Sequence, residues 1–192
     1  MHRTTRLNTN NSIDPNAITR SIENWVNKMV IGYQLCPFAA NEWRNGRVRI
    51  SVSQAETSNE LLQHLRDEIE RIIKNENIET TLVVHPYVLT EFDDFNDFLD
   101  LTDQLVETLH LNGVLQWASF HPDYQFANSE PTDPENYTNR SPYPVLQILR
   151  EESLSRAIDR HPDIDQVPID NMELMREIGC EKLEIILKEC IR

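Results

Sequence analysis

Glycine is scarce in this chain, with only four residues among 192. Phosphate-binding loops need closely spaced glycines, because the backbone must approach the phosphate in conformations that side chains disfavour. Neither a Walker pattern nor a G-x-G-x-x-G fingerprint occurs, and the H-E-x-x-H and G-x-S-x-G signatures are also missing. The sequence therefore argues against the common nucleotide-hydrolysing and dinucleotide-binding sites.

Cysteines and long apolar runs are equally rare. The three cysteines, Cys36, Cys180 and Cys190, fit neither a disulfide framework nor a C-x-x-C zinc or redox motif, so we expect reduced thiols. No apolar stretch approaches the roughly 20 residues that cross a bilayer, and no apolar signal core follows the polar first residues. We expect a cytoplasmic protein with a disordered tail at residues 1–12 and a single α/β domain at 13–192.

Basic side chains are few: 18 Lys and Arg stand against 32 Asp and Glu, giving a formal net charge of -14. A field of that sign repels phosphate backbones and anionic lipid. We therefore expect a small-molecule ligand, and neither nucleic acid nor a membrane, as the partner. The sequence predicts no oligomeric state.

Helix-like and strand-like apolar spacings alternate along the chain. Asp14-Pro15 caps a first amphipathic helix, and Thr57 with Glu60 forms a capping box for a second. The order strand, helix, strand, helix, strand indicates two βαβ units. We predict an α/β fold with a small parallel or mixed sheet of at least three strands, covered by about five helices. The strands are predicted at residues 47–54 (an edge strand), 81–84 and 114–120, and the later helices at 57–75, 92–109, 144–160 and 170–190, the last with a break at Gly179.

Residues 122–143 contain four prolines and no helical pattern. A connection of that length without secondary structure is uncommon in a compact domain. The segment is therefore either a binding loop or the place of a strand that the pattern does not reveal.

Two predicted strands end in the same pair of residues, His85-Pro86 and His121-Pro122. Ligands of open parallel sheets bind at the carboxyl ends of the strands, so two parallel neighbours would bring both imidazoles to one rim. Alternatively, each histidine hydrogen-bonds a loop carbonyl and each proline only ends a strand.

Cys36 lies in the stretch LCPFA. If Pro37 begins a helical turn, Cys36 occupies its N-cap, where the helix dipole lowers a thiol pKa. Such a thiol suits a nucleophile or a metal ligand, although a cysteine often merely packs in a core.

Arg140 and Ser141 precede a predicted helix, and a helix N-terminus beside a guanidinium is suited to an anion. Arg140 in a structural ion pair is the equal alternative. Asp123, Tyr124 and Asn139 belong to the same loop and are candidate substrate-binding residues.

The stretches LCPFA, VVHP, SFHPDYQF and NYTNRSPYP together resemble an uncharacterised family of bacterial proteins of about this length, with relatives in some eukaryotes. That family is known only as a domain of unknown function. The resemblance spans about residues 25–160 and implies no reaction, cofactor or catalytic residue.

Three hypotheses for function follow. The first is an enzyme acting on a small polar or anionic metabolite, with Cys36, His85 and His121 at a common site. There Cys36 is a nucleophile with a histidine base, or both histidines bind Zn²⁺ together with Cys36 or Asp123, which these residue types suit. The second is a non-catalytic binder of a small anion. The third is an acidic interaction domain with structural histidines, for which a closed rim between the strand ends would be diagnostic.

Overall fold

The computed structural model describes residues 14–153 and 166–191, which form a four-stranded mixed sheet with helices on both faces. None of the helices in these residues has an apolar stretch long enough to span a membrane. A π-helical segment, Val26–Ile31, continues α1, and a 3-10 helix covers Pro134–Thr138. The strands are β1 (Val48–Val52), β2 (Thr80–Val84), β3 (Leu115–Phe120) and β4 (Val145–Arg150). The helices are α1 (Pro15–Trp25), α2 (Ala39–Arg44), α3 (Ser58–Lys74), α4 (Phe92–Thr108), α5 (Val167–Ile178) and α6 (Cys180–Cys190).

The strands lie in the order β1-β2-β4-β3. β1 and β2 pair in parallel, whereas β4 is antiparallel to both of its neighbours, β2 and β3. β1, β2 and β3 therefore all run in one direction, with β4 inserted between the last two. The structure confirms the α/β fold with a mixed sheet, and β1 is an edge strand as predicted.

The fourth strand corrects the predicted helix at residues 144–160. Residues 145–150 pair with both neighbours, and Val145, Leu146 and Ile148 are buried. A strand with both faces covered is a nearly continuous apolar run, which periodicity alone cannot distinguish from a buried helix. Residues 151–153 are helical, and the rest of the predicted helix lies outside the described residues, as does the predicted disordered tail at 1–12.

Local sequence signals set the helix boundaries. The Asp14 carboxylate accepts a hydrogen bond of 3.0 Å from the Asn16 N–H at the start of α1. Thr57 and Glu60 form the predicted capping box, in which the Glu60 N–H donates to the Thr57 hydroxyl at 3.3 Å. Gly179, with a φ of 81°, separates α5 from α6 at the predicted break.

The two faces of the sheet carry separate apolar cores. Side chains alternate along each strand, so Leu82 and Val84 point to one face and Val83 to the other. We call the first the α1 face; α1, its π-helical continuation, α5 and α6 pack there. The second is the α3 face, where α3 and α4 pack over the sheet.

Candidate functional site

The structure brings His85 and His121 together at the end of the sheet where β2 and β3 terminate. They follow the carboxyl ends of β2 and β3, and both belong to the α3 face. Their rings contact the same Phe95 ring, at centroid distances of 5.7 and 5.1 Å respectively. The two strands are not neighbours, because the amino end of β4 lies between them.

His85 is fully buried and neutral. Its Nδ1 lies 2.9 Å from the Val88 carbonyl oxygen, an acceptor only, so Nδ1 carries the proton and donates. Nε2 is left as a buried acceptor with no hydrogen-bond partner in the described part of the chain. Burial lowers the pKa of His85 to about 4, since the charged form would lose its hydration.

His121 is buried too and has the opposite tautomer. The backbone N–H of Asp123 donates to Nδ1 at 3.1 Å, so the proton resides on Nε2. Nε2 points at the Leu89 carbonyl oxygen, 3.3 Å away. Burial lowers the pKa of His121 as well.

Both imidazoles hold the loop that follows β2. They donate to the carbonyl groups of consecutive residues, Val88 and Leu89, and Leu89 has a φ of 55°. A leucine in the left-handed region is strained, so fixed hydrogen bonds on both sides help to keep it there. The geometry thus matches the structural alternative for the histidines, and their catalytic role stays a prediction.

Cys36 lies on the other face of the sheet. It lines a cavity with Leu82 and Phe120, and neither histidine lines that cavity. The structure therefore does not assemble a site of Cys36, His85 and His121. Within residues 14–153 and 166–191, no group of three or more His, Cys, Asp and Glu side chains could hold a metal ion, and zinc binding stays a prediction.

The predicted activation of Cys36 is wrong in direction. Burial raises the pKa of the thiol, and this outweighs the N–H groups of Phe38 and Ala39, which favour the thiolate. Phe38, not Cys36, is the residue that precedes α2. The burial that raises this pKa matches the alternative in which Cys36 packs in a core.

The predicted anion site at Arg140 and Ser141 is also wrong in its premise, because a strand follows these residues instead of a helix. The Arg140 guanidinium donates to the carbonyl groups of Tyr124 at 3.2 Å and Pro131 at 2.8 Å, and lies 4.6 Å from the centre of the Tyr137 ring. It orders its own loop. The buried Ser141 hydroxyl donates to the Tyr143 carbonyl at 2.6 Å.

The other candidate substrate-binding residues also make contacts within the chain. The Tyr124 ring packs between those of Phe92 and Phe126, at centroid distances of 5.3 and 5.0 Å. Asp123 contacts His121 through its backbone N–H. The Asn139 side chain donates to the Ser119 carbonyl at 3.1 Å, yet Asn139 also lines the cavity on the α1 face. Of these candidates, Asn139 alone therefore adjoins a space that a ligand could enter.

A cavity of about 830 Å³ is the main concave feature of the α1 face. The sheet itself forms its floor, while α1, the segment from Leu35 to Ala39 and the first turns of α5 form its walls. Floor residues come from all four strands: Val48 from β1, Thr80 and Leu82 from β2, Gln147 and Leu149 from β4, and Ala118 and Phe120 from β3.

One end of the cavity carries charged side chains. Arg47 is paired with Glu79, and its Nη1 lies 3.4 Å from Glu42 Oε2. Glu79 is buried, and its Oε1 has no hydrogen-bond partner among the described residues. Arg150 lines the cavity as well, so the described lining carries two acidic and two basic residues.

The middle of the floor carries a single polar pair. The Thr80 hydroxyl donates to the Ile148 carbonyl at 2.7 Å, so its oxygen can only accept from Gln147 Nε2, 2.9 Å away. The orientation of the Gln147 amide is thereby fixed.

Sequence reasoning missed Arg47, Glu42, Glu79 and Gln147 as cavity residues. Gln147 lies in the run VLQILR, which the sequence predicts as a helix, and that prediction leaves its side of the sheet unassigned. Glu79 did carry a signal, because it directly precedes a buried strand. An acidic residue in such a place is rarely buried without a partner.

The comparisons with known proteins add a family but no activity. No curated protein and no solved structure matches this chain. The resemblance drawn from the motifs is borne out by a family model that covers most of the sequence. On that basis, the chain belongs to the family described as Protein of unknown function (DUF1415), whose model matches residues 17–185.

Proposed function

We propose that the protein binds a small, mainly apolar organic molecule in the cavity of the α1 face. One observation carries this proposal: about 830 Å³ of space over the sheet, walled largely by apolar side chains with a few polar groups. Ligand sites of proteins typically enclose about 300–1,000 Å³ with that kind of lining.

The charged residues of the described lining are two acidic, Glu42 and Glu79, and two basic, Arg47 and Arg150, and this balance favours a neutral ligand. Arg47 faces Glu42 and Glu79, so an incoming anion would compete with two carboxylates for one guanidinium. Arg140, the cation first expected to hold substrate charge, is engaged by backbone carbonyl groups. This argues against the hypothesis of a small-anion binder.

Binding is also better supported than covalent catalysis. Cys36 adjoins the cavity, but its raised pKa keeps the thiol protonated, and neither His85 nor His121 lines the same space. The rim between the ends of β2 and β3 is closed, as an interaction domain would require. The cavity on the other face nevertheless gives the chain a place for a small molecule.

The test is a titration of the purified protein with Nile red, a neutral dye whose emission rises in apolar surroundings. Ala118→Trp places an indole on the cavity floor from the edge strand β3. Gln116→Trp makes the same addition two residues earlier on that strand, at an exposed position that does not line the cavity. It is the matched control.

We expect the wild type and Gln116→Trp to bind the dye equally, and Ala118→Trp to bind at least about tenfold more weakly, because the indole occupies the space. Circular dichroism and the thermal midpoint check that both variants fold. Absence of dye binding to the wild type, or equal binding by a folded Ala118→Trp, would contradict the proposal.

A further inference from the structure

Gln147 occupies an unusual place for a glutamine. It lies on the central strand β4, half-buried in the cavity floor, and its cross-strand partners are Leu82 on one side and Ala118 on the other. An amide in such apolar surroundings is unfavourable unless its donors and acceptor find partners.

The protein satisfies only part of this amide. Thr80 accepts from one N–H of Nε2, and that is the single hydrogen bond of the Gln147 side chain within residues 14–153 and 166–191. One N–H and the whole acceptor capacity of Oε1 are left over. Both belong to a side chain that lines the cavity.

The orientation of the amide is set by Thr80. Because the Thr80 hydroxyl gives its proton to Ile148, turning the amide over would place Oε1 against a second acceptor and lose a hydrogen bond. Thr80 itself is buried, with 6% of its surface exposed. The floor thus presents a fixed, uncharged pair of one donor and one acceptor between apolar neighbours.

We propose that Gln147 recognises a neutral amide-like group on the ligand, one that offers both an N–H donor and a carbonyl-type acceptor, such as a carboxamide, a lactam or a polar N-heterocycle. This inference rests on the proposed function, since it names the class of molecule that the cavity takes. A charged group is disfavoured at this point, because Thr80, Leu82 and Ala118, the described neighbours of Gln147 in the floor, carry no charge to compensate its desolvation. An apolar ligand alone would leave the amide unsatisfied.

Two probes of matched shape separate these cases, each measured by displacement of Nile red. 2-Naphthamide has both a donor and an acceptor, whereas 2-acetylnaphthalene keeps the carbonyl but lacks the N–H. We expect the wild type to bind 2-naphthamide about tenfold more tightly, because the ketone leaves the acceptor of Gln147 unpaired.

Gln147→Leu should abolish that preference, because leucine keeps the bulk of the side chain but removes both its donor and its acceptor. Gln116→Leu, on the exposed part of β3, is the control and should keep the wild-type preference. Thermal midpoints establish that both variants are folded.

The outcomes distinguish the two proposals. If both probes displace the dye equally from the wild type, the inference about Gln147 is overturned while the cavity still binds ligands. If the preference persists in Gln147→Leu, another residue recognises the amide. If no dye binds to the wild type, the proposed function itself fails.

Discussion

Lowering the pH from 6.5 to about 4 should destabilise the fold, and replacing His85 should remove a defined part of that loss. In the folded protein, burial lowers the pKa of His85 from 6.5 to about 4. The unfolded chain therefore binds a proton at this residue over a range of pH in which the native ring stays neutral. The stability that the neutral His85 ring contributes is fully present above pH 6.5. It is lost as the pH falls from 6.5 to about 4.

The magnitude follows from the size of the shift. Each pH unit within the window costs about 1.4 kcal/mol per such group, so His85 alone accounts for a loss of about 3 kcal/mol by its lower end. Below that pH, the native ring takes up the proton as well, and this contribution ends. A domain of this size is typically stable by about 5–15 kcal/mol, so the effect is measurable. The lowered pKa of His121 adds in the same direction.

The assay is urea unfolding of the wild type, His85→Asn and His110→Asn at several pH values across the window. Asparagine at position 85 offers an amide N–H near the place of Nδ1 and does not titrate. His110 is exposed and has a φ of 57°, which asparagine tolerates, so His110→Asn is the matched control.

We expect His85→Asn to lose stability less steeply than the wild type, by about 1 kcal/mol per pH unit, with a residual slope from His121. His110→Asn should follow the wild-type slope. A His85→Asn profile parallel to the wild type would refute the description of His85 as a buried neutral ring.

Three further outcomes can be measured on the same protein. Thr57→Ala removes the hydroxyl that caps α3 and should lower the free energy of unfolding by about 1 kcal/mol in urea; no change would mean that the capping box is not formed. Gly179→Ala places a side chain at a φ of 81°, where no atom of the described residues obstructs it. Backbone strain alone should therefore cost about 1–2 kcal/mol of stability. A stabilised variant would contradict the break between α5 and α6. Because burial raises the pKa of Cys36, peptide mapping should show its alkylation by iodoacetamide at neutral pH to be slower than that of glutathione; faster alkylation would restore an activated thiol.

The parts of the fold that were predictable are those with a local physical signal. An aspartate before a proline caps α1, and a threonine with a glutamate three residues later caps α3, whatever the rest of the chain does. β1 was recognisable because one of its faces is polar: Arg49 and Ser51 both hydrogen-bond Glu68 on the α3 face. These features need no knowledge of the sheet order.

β4 was not predictable, because its character comes from distant partners. Val145 pairs with Val84 of one neighbour and Phe120 of the other, contacts far apart in sequence. From Val145 to Leu149 only Gln147 interrupts the apolar run, so the strand has no polar stripe from which its period could be recognised. Every error about Arg140, Ser141 and Gln147 follows from this one misassigned element.

The same strand explains why the candidate site is a face and not the rim. The rule that ligands bind at the carboxyl ends of strands applies where parallel neighbours diverge and leave a crevice between them. Here the chain that leads into β4 fills that crevice: the His85 N–H donates to the Pro144 carbonyl at 3.1 Å, and the His121 N–H donates to the Asn139 carbonyl at 3.2 Å. The paired imidazoles are therefore sealed by the protein's own backbone. Space for a ligand lies instead over Thr80, Gln147 and Ala118, where the described helices of the α1 face leave part of the sheet uncovered.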